Sequence, residues 1–206
     1  MRIAVIGAGR VGSALGAAWS RAGHSVMLGV RDTESARARE TADRAGAALG
    51  SLREAASFGE VVVLCVPWAA VDEALAELGD LAGKPLLDVT NPLTGDLSRS
   101  LVPEPGSGAA KVASRAPGAH VVKIFNSTGS SNMADPAYPE GTATMPYCGD
   151  DEGAKRIAAG LAGELGFEPI DLGGLDAAGL LESQARLWIR LARLTGRDVA
   201  FRLMRR

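Results

Sequence analysis

The sequence predicts an α/β protein with a Rossmann-type, doubly wound and mostly parallel sheet and a C-terminal helix. Apolar runs of strand length alternate with helix-length segments through most of the chain, which is the pattern of parallel strands joined by crossover helices. Residues 61–66, VVVLCV, are apolar on both faces, as a central strand between two helical layers must be. A glycine-rich turn directly after the first apolar run completes the pattern.

The individual elements follow from their own stretches of sequence. Strands are predicted at residues 2–7, 25–30, 61–67, 85–90, 120–126, 143–148 and 167–171. Helices are predicted at residues 11–22, 33–48, 68–81 and 151–165, with a long terminal helix from residue 176 onward, where apolar residues recur at near-helical spacing. Residues 101–117 contain several prolines and glycines and are expected to form a loop with at most a short helix.

The composition restricts the classes of partner. The formal net charge is −2 and the basic run lies at residues 202–206, so nucleic-acid binding is disfavoured. Cys65 and Cys148 lie far apart in apolar runs, and we interpret both as reduced structural thiols; no metal site is predicted. The first strand begins within two residues and no run approaches 18 apolar residues, so we expect a soluble, cytoplasmic protein with no membrane partner.

The turn Gly7-Ala8-Gly9-Arg10-Val11-Gly12 has the context of a dinucleotide-binding site, because it joins a predicted strand to a predicted helix. Gly7 allows the sharp turn, Gly9 lets the backbone approach a pyrophosphate, and Gly12 lets the helix pack closely on the sheet. The helix N-terminus supplies N–H groups to the phosphates. We therefore predict that residues 1–206 form a single domain, with a dinucleotide-binding core at 1–126 and an extension at 127–206.

The end of the second strand selects the form of the dinucleotide. We interpret Val30 as the position that carries a ribose-binding acid in NAD-binding proteins, and Arg31 follows it directly. A guanidinium there can hold a 2′-phosphate through paired hydrogen bonds and stack on the adenine, which favours NADP over NAD. The alternative is that Asp32 is the ribose acid and that Arg31 is a solvated charge.

Two further loops follow the carboxyl ends of predicted strands, where open α/β sheets bind their ligands. They carry Val66-Pro67-Trp68 and Asn91-Pro92, and we expect both to line the cofactor cleft. Trp68 either closes over the nicotinamide side or packs its ring on the edge of the sheet. His24 is placed in a surface turn, and His120 is given a structural role because no carboxylate partner can be named for it.

Several segments resemble the family of NADP oxidoreductases that depend on the deazaflavin coenzyme F420, which is itself similar to the reductase domain of STEAP metalloreductases. Besides the glycine-rich turn, these segments are Gly29-Val30-Arg31-Asp32, Val66-Pro67-Trp68, Val122-Lys123-Ile124-Phe125-Asn126-Ser127, Tyr147-Cys148-Gly149-Asp150-Asp151, Asp171-Leu172-Gly173 and Leu181-Glu182-Ser183. The resemblance implies a homodimer in which NADP lies along the sheet and a deazaflavin stacks on the nicotinamide.

The resemblance also implies roles for single residues. Gly9, Arg10, Val11 and Arg31 match the family's pyrophosphate and 2′-phosphate segments. Val30 departs from the family, because a serine or threonine often stands there, and Ser35 replaces a basic residue of the next helix. These two departures imply a weaker preference for NADP than is usual in the family.

Such a function needs no acid–base pair in the protein, because hydride transfer between stacked rings depends on orientation and exclusion of water. We therefore predict no catalytic side chain, NADP(H) as the cofactor, and coenzyme F420 or a flavin as the co-substrate. Polar residues just past a strand end, together with a nearby methionine, are predicted to bind this acceptor: Asn126, Ser127, Thr128 and Met133. The alternative for this segment is an ordinary turn followed by a helix cap.

Other functions fit the same fold. An NADPH-dependent flavin or ferric reductase would differ little in sequence, and a non-catalytic NADPH-sensing module is the alternative outside enzymes. The β-hydroxyacid dehydrogenases share the opening turn, but they carry a large helical substrate domain for which this chain has no room. The terminal helix carries Leu187, Trp188, Leu191, Leu194 and Phe201, which predicts a two-fold dimer unless the helix only caps its own sheet.

Overall fold

The computed structural model describes residues 1–103, 105–204 and 206, and these form an eight-stranded sheet with helices packed against it. The strands are β1 (Arg2–Ile6), β2 (Ser25–Val30), β3 (Ala48–Ser51), β4 (Val61–Leu64), β5 (Pro85–Asp88), β6 (His120–Lys123), β7 (Thr144–Gly149) and β8 (Glu168–Asp171). The helices are α1 (Arg10–Arg21), α2 (Ala36–Ala45), α3 (Leu52–Phe58), α4 (Val71–Glu77), α5 (Gly108–Arg115), α6 (Ser130–Ala134), α7 (Glu152–Glu164) and α8 (Ala178–Thr195).

The strand order is β3-β2-β1-β4-β5-β6-β7-β8, which confirms the predicted Rossmann-type, mostly parallel sheet. The first six strands run parallel, whereas β7 pairs antiparallel with β6 through Val122–Gly149 and Lys123–Cys148, and β8 pairs parallel with β7. The chain winds away from β1 in one direction through β2 and β3 and in the other through β4 onward. A crevice at the carboxyl ends of β1 and β4 is the expected ligand site of such a sheet.

Apolar side chains pack on both faces of the sheet. Val5 and Val63 belong to a buried cluster with Leu15 and Trp19 of α1 and Leu161 of α7. The alternate strand residues pack against α3, α4 and α5 in a second cluster that includes Ala4, Ile6, Val62, Leu64, Leu52, Leu75 and Val112. Because both faces are covered by helices, ligands reach the sheet at the carboxyl ends of its strands.

The stretch predicted as one helix at 33–48 is instead a helix that ends early and is followed by a strand. α2 ends at Ala45 because Gly46 takes a left-handed conformation with φ of 62°, and β3 then pairs with β2 at the sheet edge. Ser51 and Glu54 form a capping box that starts α3. β3 was missed because its four residues, ALGS, have no β-branched or alternating pattern.

The stretches at 68–81 and 101–117 contain shorter helices than their full lengths. The predicted helix at 68–81 is a 3₁₀ turn at Trp68–Ala70 followed by α4, which ends at Glu77. The stretch at 101–117 contains α5, an eight-residue helix whose N-cap Ser107 accepts the N–H of Ala110 through its hydroxyl. This agrees with the prediction of a loop that holds at most a short helix.

The terminal helix is shorter than predicted, because α8 ends at Thr195 and the chain then turns back toward β7 at Gly196. The Phe201 carbonyl oxygen accepts the N–H of Thr144 at 2.9 Å, so placing Phe201 on the helix was wrong. Trp188 is buried and its Nε1 donates to the Val199 carbonyl oxygen at 2.7 Å, which removes it from the outer surface of the helix. Within the described ranges, no helix is long and apolar enough to cross a bilayer.

Candidate cofactor site

The turn after β1 allows a close approach to its backbone. Gly7 has a φ of 107°, which L side chains rarely adopt, and its N–H donates to the Gly29 carbonyl oxygen at 2.9 Å. A Cβ at Gly12 would lie 2.0 Å from the Gly7 carbonyl oxygen, so α1 can pack against the turn only with glycine there. A Cβ at Gly9, in contrast, would meet no described atom within 4 Å. The open space above Gly9 fits the pyrophosphate cradle expected of this turn.

The N-terminus of α1 also suits a negatively charged group. The helix begins at Arg10, and its N-cap Gly9 provides no side chain to occupy the N–H groups of the first turn. Arg10 is exposed at this end, whereas Val11 is half-buried against the apolar core. A helix N-terminus with free N–H groups and a neighbouring guanidinium favours negatively charged groups.

A cavity of about 230 Å³ lies beside the turn, between the ends of β2 and β4 and the start of α4. Its lining residues are Gly7, Ala8, Gly9, Gly29, Val30, Arg31, Leu52, Cys65, Val66, Pro67, Ala70, Glu73 and Ala74. Apolar walls with a charged mouth suit an adenosine, which joins a flat adenine ring to a polar ribose. The cavity therefore brings together the predicted residues of the first, second and fourth strand ends.

Arg31 and Asp32 lie in different surroundings. The Arg31 guanidinium lines the cavity, and its Nη1 lies 3.2 Å from Oε2 of Glu73. Asp32 turns back on its own loop, where Oδ1 accepts the N–H of Glu34 at 3.0 Å. The cavity thus presents a guanidinium from this loop, as a 2′-phosphate requires, while the carboxylate of Asp32 holds a local turn.

A second cleft lies on the other side of the glycine-rich turn, between α1 and α2. One wall carries Gly9, Arg10 and Ser13, and the other carries Arg37 and Arg44. Ser35 is the N-cap of α2, and its side chain makes no capping bond among the described residues. Arg37 was not predicted as a site residue, although its spacing of seven from Arg44 places both on one helical face. Arg37 thus joins Arg10 and Arg44 in this cleft, on the side of the turn where Ser35 carries no charge.

Asn91 and Asn126 bind each other at the carboxyl ends of β5 and β6. The Asn91 Nδ2 donates to the Asn126 carbonyl oxygen at 2.9 Å, and the Asn126 Nδ2 donates to Asn91 Oδ1 at 3.0 Å. Asn126 Nδ2 also donates to the Leu181 carbonyl oxygen at 3.0 Å. Phe125, just before Asn126, is buried and has a φ of 59°, a strained conformation for an aromatic residue at the bend that follows β6.

The side-chain oxygen of Asn126 is a buried acceptor without a partner among the described residues. Two acceptors surround the other end of the amide, so that end must be the NH₂ group and the oxygen must be the orphan. Leaving a buried carbonyl oxygen unpaired costs about 1–3 kcal/mol. Such an atom fits a ligand that brings an amide N–H, as the carboxamide of a nicotinamide does.

A fully buried lysine lies directly behind this pair of asparagines. Lys123 Nζ donates to Asp88 Oδ2 at 2.9 Å and to the Thr90 carbonyl oxygen, and it lies 3.2 Å from Glu182 Oε1. Glu182 also accepts the N–H groups of Gly108 and Ala109 at the start of α5. The cluster joins β5, β6, α5 and α8, and it fixes the loop that carries Asn91.

This cluster was not predicted from the sequence, where two charged residues in apolar strands are the available signal. Lys123 and Asp88 lie in apolar strands, where a charged residue is buried only with a partner.

Burial, and next the Asp88 carboxylate, raise the pKa of the Cys65 thiol well above its usual value. Cys65 and Cys148 are both free, in agreement with their interpretation as reduced thiols.

Trp68 packs on the start of α5. A Cβ on Gly108 would lie 3.0 Å from its ring and 3.1 Å from Pro92, and Lys111 Nζ lies 5.3 Å from the centre of the Trp68 ring. The ring therefore packs on α5, whereas the alternative in the sequence analysis placed it on the edge of the sheet, and Val66 and Pro67 are the residues of Val66-Pro67-Trp68 that line the cavity. The half-buried ring holds the loop after β4 against the loop after β5.

The segment predicted to bind the acceptor is largely covered by the C-terminal part of the chain. Ser127 and Met133 are buried, and Met133 belongs to the core cluster that contains Trp19. The Trp188 ring lies so close to Gly129 that a Cβ there would be 2.6 Å from it. Thr128 is half-buried, and its hydroxyl accepts Asn132 Nδ2 at 2.8 Å. Of the polar side chains in this segment, Thr128 is thus more accessible than Asn126 or Ser127.

The two histidines lie at the opposite edge of the sheet. His24 precedes β2, and its Nε2 lies 2.6 Å from Glu164 at the end of α7. His120 is the first residue of β6, and its Nδ1 lies 3.9 Å from Asp151, the N-cap of α7. Because the amino ends of parallel strands face away from the cofactor edge, both histidines tie α7 to the sheet and stand apart from the site.

Comparison with known proteins identifies the family. Residues 2–92 match the family described as NADP oxidoreductase, coenzyme F420-dependent. A solved structure from Arthrobacter sp. FB24 is described as a candidate F420-dependent NADP reductase and is 32% identical to this chain. The two superpose with a TM-score of 0.88, and the match covers 100% of each chain. The chain belongs to the family of F420-dependent NADP oxidoreductases. It is therefore an NADP-binding oxidoreductase of that family.

More distant relatives define the fold more broadly. A hypothetical protein from Sinorhizobium meliloti is 29% identical over 87% of each chain, with a TM-score of 0.77. The metalloreductase STEAP3 of Rattus norvegicus is 30% identical over 190 residues, which are 88% of this chain. The chain spans 36% of the length of that curated relative. A reductive aminase from Aspergillus terreus, 21% identical with a TM-score of 0.65, shares the fold.

Proposed function

We propose that the protein transfers a hydride between NADP(H) and a deazaflavin of the coenzyme F420 type. The observation that carries the proposal is the row of groups along one edge of the sheet: the open turn at Gly9, the Arg31 guanidinium, and the unpaired oxygen of Asn126. We assign the turn at Gly9 to the pyrophosphate, Arg31 to the 2′-phosphate and Asn126 to the carboxamide of NADP. Likeness over the full length to a candidate F420-dependent NADP reductase supports the choice of acceptor.

The protein's own residues act by binding and shielding. NADPH, when bound, supplies the hydride from its nicotinamide ring, so the chain needs to orient and desolvate that ring. Gly7, Gly9 and Gly12 would let the backbone of the turn approach the pyrophosphate, and Arg31 would pair with the 2′-phosphate. Val66 and Pro67 form an apolar wall of the adenosine side.

The nicotinamide end is held by the asparagine pair. Asn126 Oδ1 would accept an N–H of the carboxamide, which would satisfy the buried oxygen and help to orient the ring. Asn91 and the lysine cluster behind it keep Asn126 in place, because Lys123 holds the Thr90 carbonyl oxygen of the same loop. This rigidity supplies the orientation that hydride transfer needs. Thr128 is the half-buried polar residue of this segment that we propose for the acceptor side, whereas Ser127 and Met133 lie buried beneath it.

The test uses a panel of acceptors. Purified protein is mixed with NADPH and, in separate reactions, with coenzyme F420, FMN, FAD or a ferric chelate, and the absorbance of reduced nicotinamide is followed. We expect turnover with the deazaflavin alone. Turnover only with flavin or iron would replace the proposed acceptor, and NADPH binding without any turnover would indicate a sensing module. The absence of saturable NADPH binding would overturn the proposal as a whole.

A flavin or ferric reductase is the second candidate function. The observation in its favour is the likeness to the metalloreductase STEAP3, which extends over 88% of this chain. Flavins and deazaflavins are flat ring systems that can be placed against the same nicotinamide, so the cofactor half of the site serves either. The acceptor panel separates the two candidates directly.

We further propose that the protein is a homodimer that pairs through α8. Leu180, Leu187 and Leu194 follow one another at intervals of seven and are 69%, 51% and 68% exposed. Leu172 and Leu203 extend this apolar surface beside the helix. Apolar patches of this kind on a folded chain mark association sites, and a self-complementary patch gives a two-fold dimer.

A further inference from the structure

Glu73 lies opposite Arg31, the residue proposed to bind the 2′-phosphate. Both line the cavity beside the glycine-rich turn, which we call the adenosine cavity. Glu73 lies in the first turn of α4, after β4, whereas Arg31 follows the end of β2. Their side chains meet at 3.2 Å between Arg31 Nη1 and Glu73 Oε2, with 66% and 58% of each side chain exposed. The ion pair therefore spans the mouth of the cavity, and the carboxylate occupies one side of the guanidinium.

We propose that Glu73 is a specificity-determining residue that competes with the 2′-phosphate of NADP for Arg31. The inference rests on the proposed role of Arg31 as the ligand of that phosphate. A phosphate and a carboxylate seek the same paired donors of a guanidinium, so the 2′-phosphate must displace Glu73 or share Arg31 with it. Either way the dinucleotide with the extra phosphate meets a penalty that the unphosphorylated one does not.

The neighbouring charges single out Glu73 for this role. Asp72, one residue earlier, faces α5, where Lys111 Nζ lies at 2.7 Å and Arg115 Nε at 3.5 Å. Its hydrogen bond with Lys111 is the main cause that lowers the pKa of the Asp72 carboxyl. Asp72 is thus engaged on the outer side of α4, whereas Glu73 is directed to the cavity.

Glu73 also fits the departures from the usual phosphate pocket. Val30 provides no hydroxyl for a phosphate, and an acid on the adenosine side is what NAD-binding proteins use for the ribose. A carboxylate at the cavity mouth reduces the preference that Arg31 creates. The chain therefore carries both a phosphate-attracting and a phosphate-repelling group at the same opening, and their balance sets the preference for NADP over NAD.

The test compares charge-neutralising variants by direct binding. For Glu73→Gln we expect the Kd for NADPH to fall about two- to fivefold, the scale of an exposed ion pair, with the Kd for NADH unchanged. The gain should shrink at high salt, because the groups are exposed. Glu77→Gln, one turn further along α4, is the matched control and should leave both constants unchanged.

A second pair of measurements separates this inference from the proposed function. Arg31→Ala should weaken NADPH binding far more than NADH binding, and in its presence Glu73→Gln should give a smaller gain. If Arg31→Ala behaves so but Glu73→Gln leaves NADPH affinity unchanged, lowers it, or raises both affinities equally, the competition is refuted and the NADP site stands. Equal losses of both dinucleotides in Arg31→Ala would refute the phosphate assignment and the inference with it.

Discussion

Lys123 Nζ lies 2.9 Å from Asp88 Oδ2, and both side chains are fully buried between β5, β6 and α8. A third charge, Glu182, lies 3.2 Å from the same amine. Lys123→Met would leave two buried carboxylates without a cation, so we expect a loss of about 3–5 kcal/mol in the free energy of unfolding, measured by urea denaturation. Lys111→Met, which breaks the exposed pair with Asp72, should cost about 1 kcal/mol or less. An equal loss of unfolding free energy in Lys123→Met and Lys111→Met would contradict the burial of the Lys123 cluster.

The glycines of the first turn should separate folding from cofactor binding. Gly9→Ala meets no described atom, so its unfolding free energy should stay within about 1 kcal/mol of the parent value. Its affinity for NADPH should fall about tenfold or more, which corresponds to about 1.4 kcal/mol or more. Gly12→Ala should lose both stability and binding, because its Cβ would lie 2.0 Å from the Gly7 carbonyl oxygen. Normal NADPH binding by Gly9→Ala would contradict the proposed cradle.

The unpaired oxygen of Asn126 predicts a defect that stability alone does not explain. Asn126→Ala and Asn132→Ala each remove a buried amide with two hydrogen bonds from its nitrogen, so each should cost about 1–3 kcal/mol in unfolding free energy. Only Asn126→Ala should also weaken NADPH binding and slow hydride transfer, measured by fluorescence titration and single-turnover absorbance. A similar functional loss in both variants would indicate general disruption of the segment.

The two thiols should resist alkylation in the folded protein. Burial raises the pKa of Cys148 to about 12, so the reactive thiolate is rare at pH 8. We expect slow labelling of Cys65 and Cys148 by iodoacetamide in buffer and fast labelling of both in urea, quantified by mass spectrometry. NADPH should slow the labelling of Cys65 further, because Cys65 lines the adenosine cavity. Fast labelling of native Cys148 would contradict its burial.

The leucines on α8 predict the state of association. Leu187→Glu should convert the proposed homodimer to a monomer at micromolar concentration, as followed by light scattering, because a charge would replace the centre of the apolar row. Leu97→Glu changes an exposed leucine in the loop after β5 and should leave the dimer intact. A parent protein that is already monomeric would refute the proposed dimer.

Much of the cofactor half of the site was predictable because it is local in the sequence. Gly7, Gly9 and Gly12 shape a single turn, and the conformational freedom of glycine belongs to each residue before any tertiary contact forms. Arg31 follows directly from the end of β2. The short strand β3 could not be predicted in the same way, because pairing with β2 at the sheet edge stabilises residues that have little strand preference of their own.

The sequence by itself determined the parallel sheet, the glycine-rich turn after β1 and an arginine directly after the end of β2, since each depends on neighbours along the chain. Only the tertiary structure decided that Glu73 meets Arg31, that Asn91 meets Asn126, and that Asp88, Lys123 and Glu182 share one buried cluster. The two residues of each contact lie far apart in the sequence. Asn91 and Asn126 are separated by 35 positions, and Lys123 and Glu182 by 59. Electrostatic and hydrogen-bond partners are chosen by distance in space, which the order of the strands sets and local sequence does not.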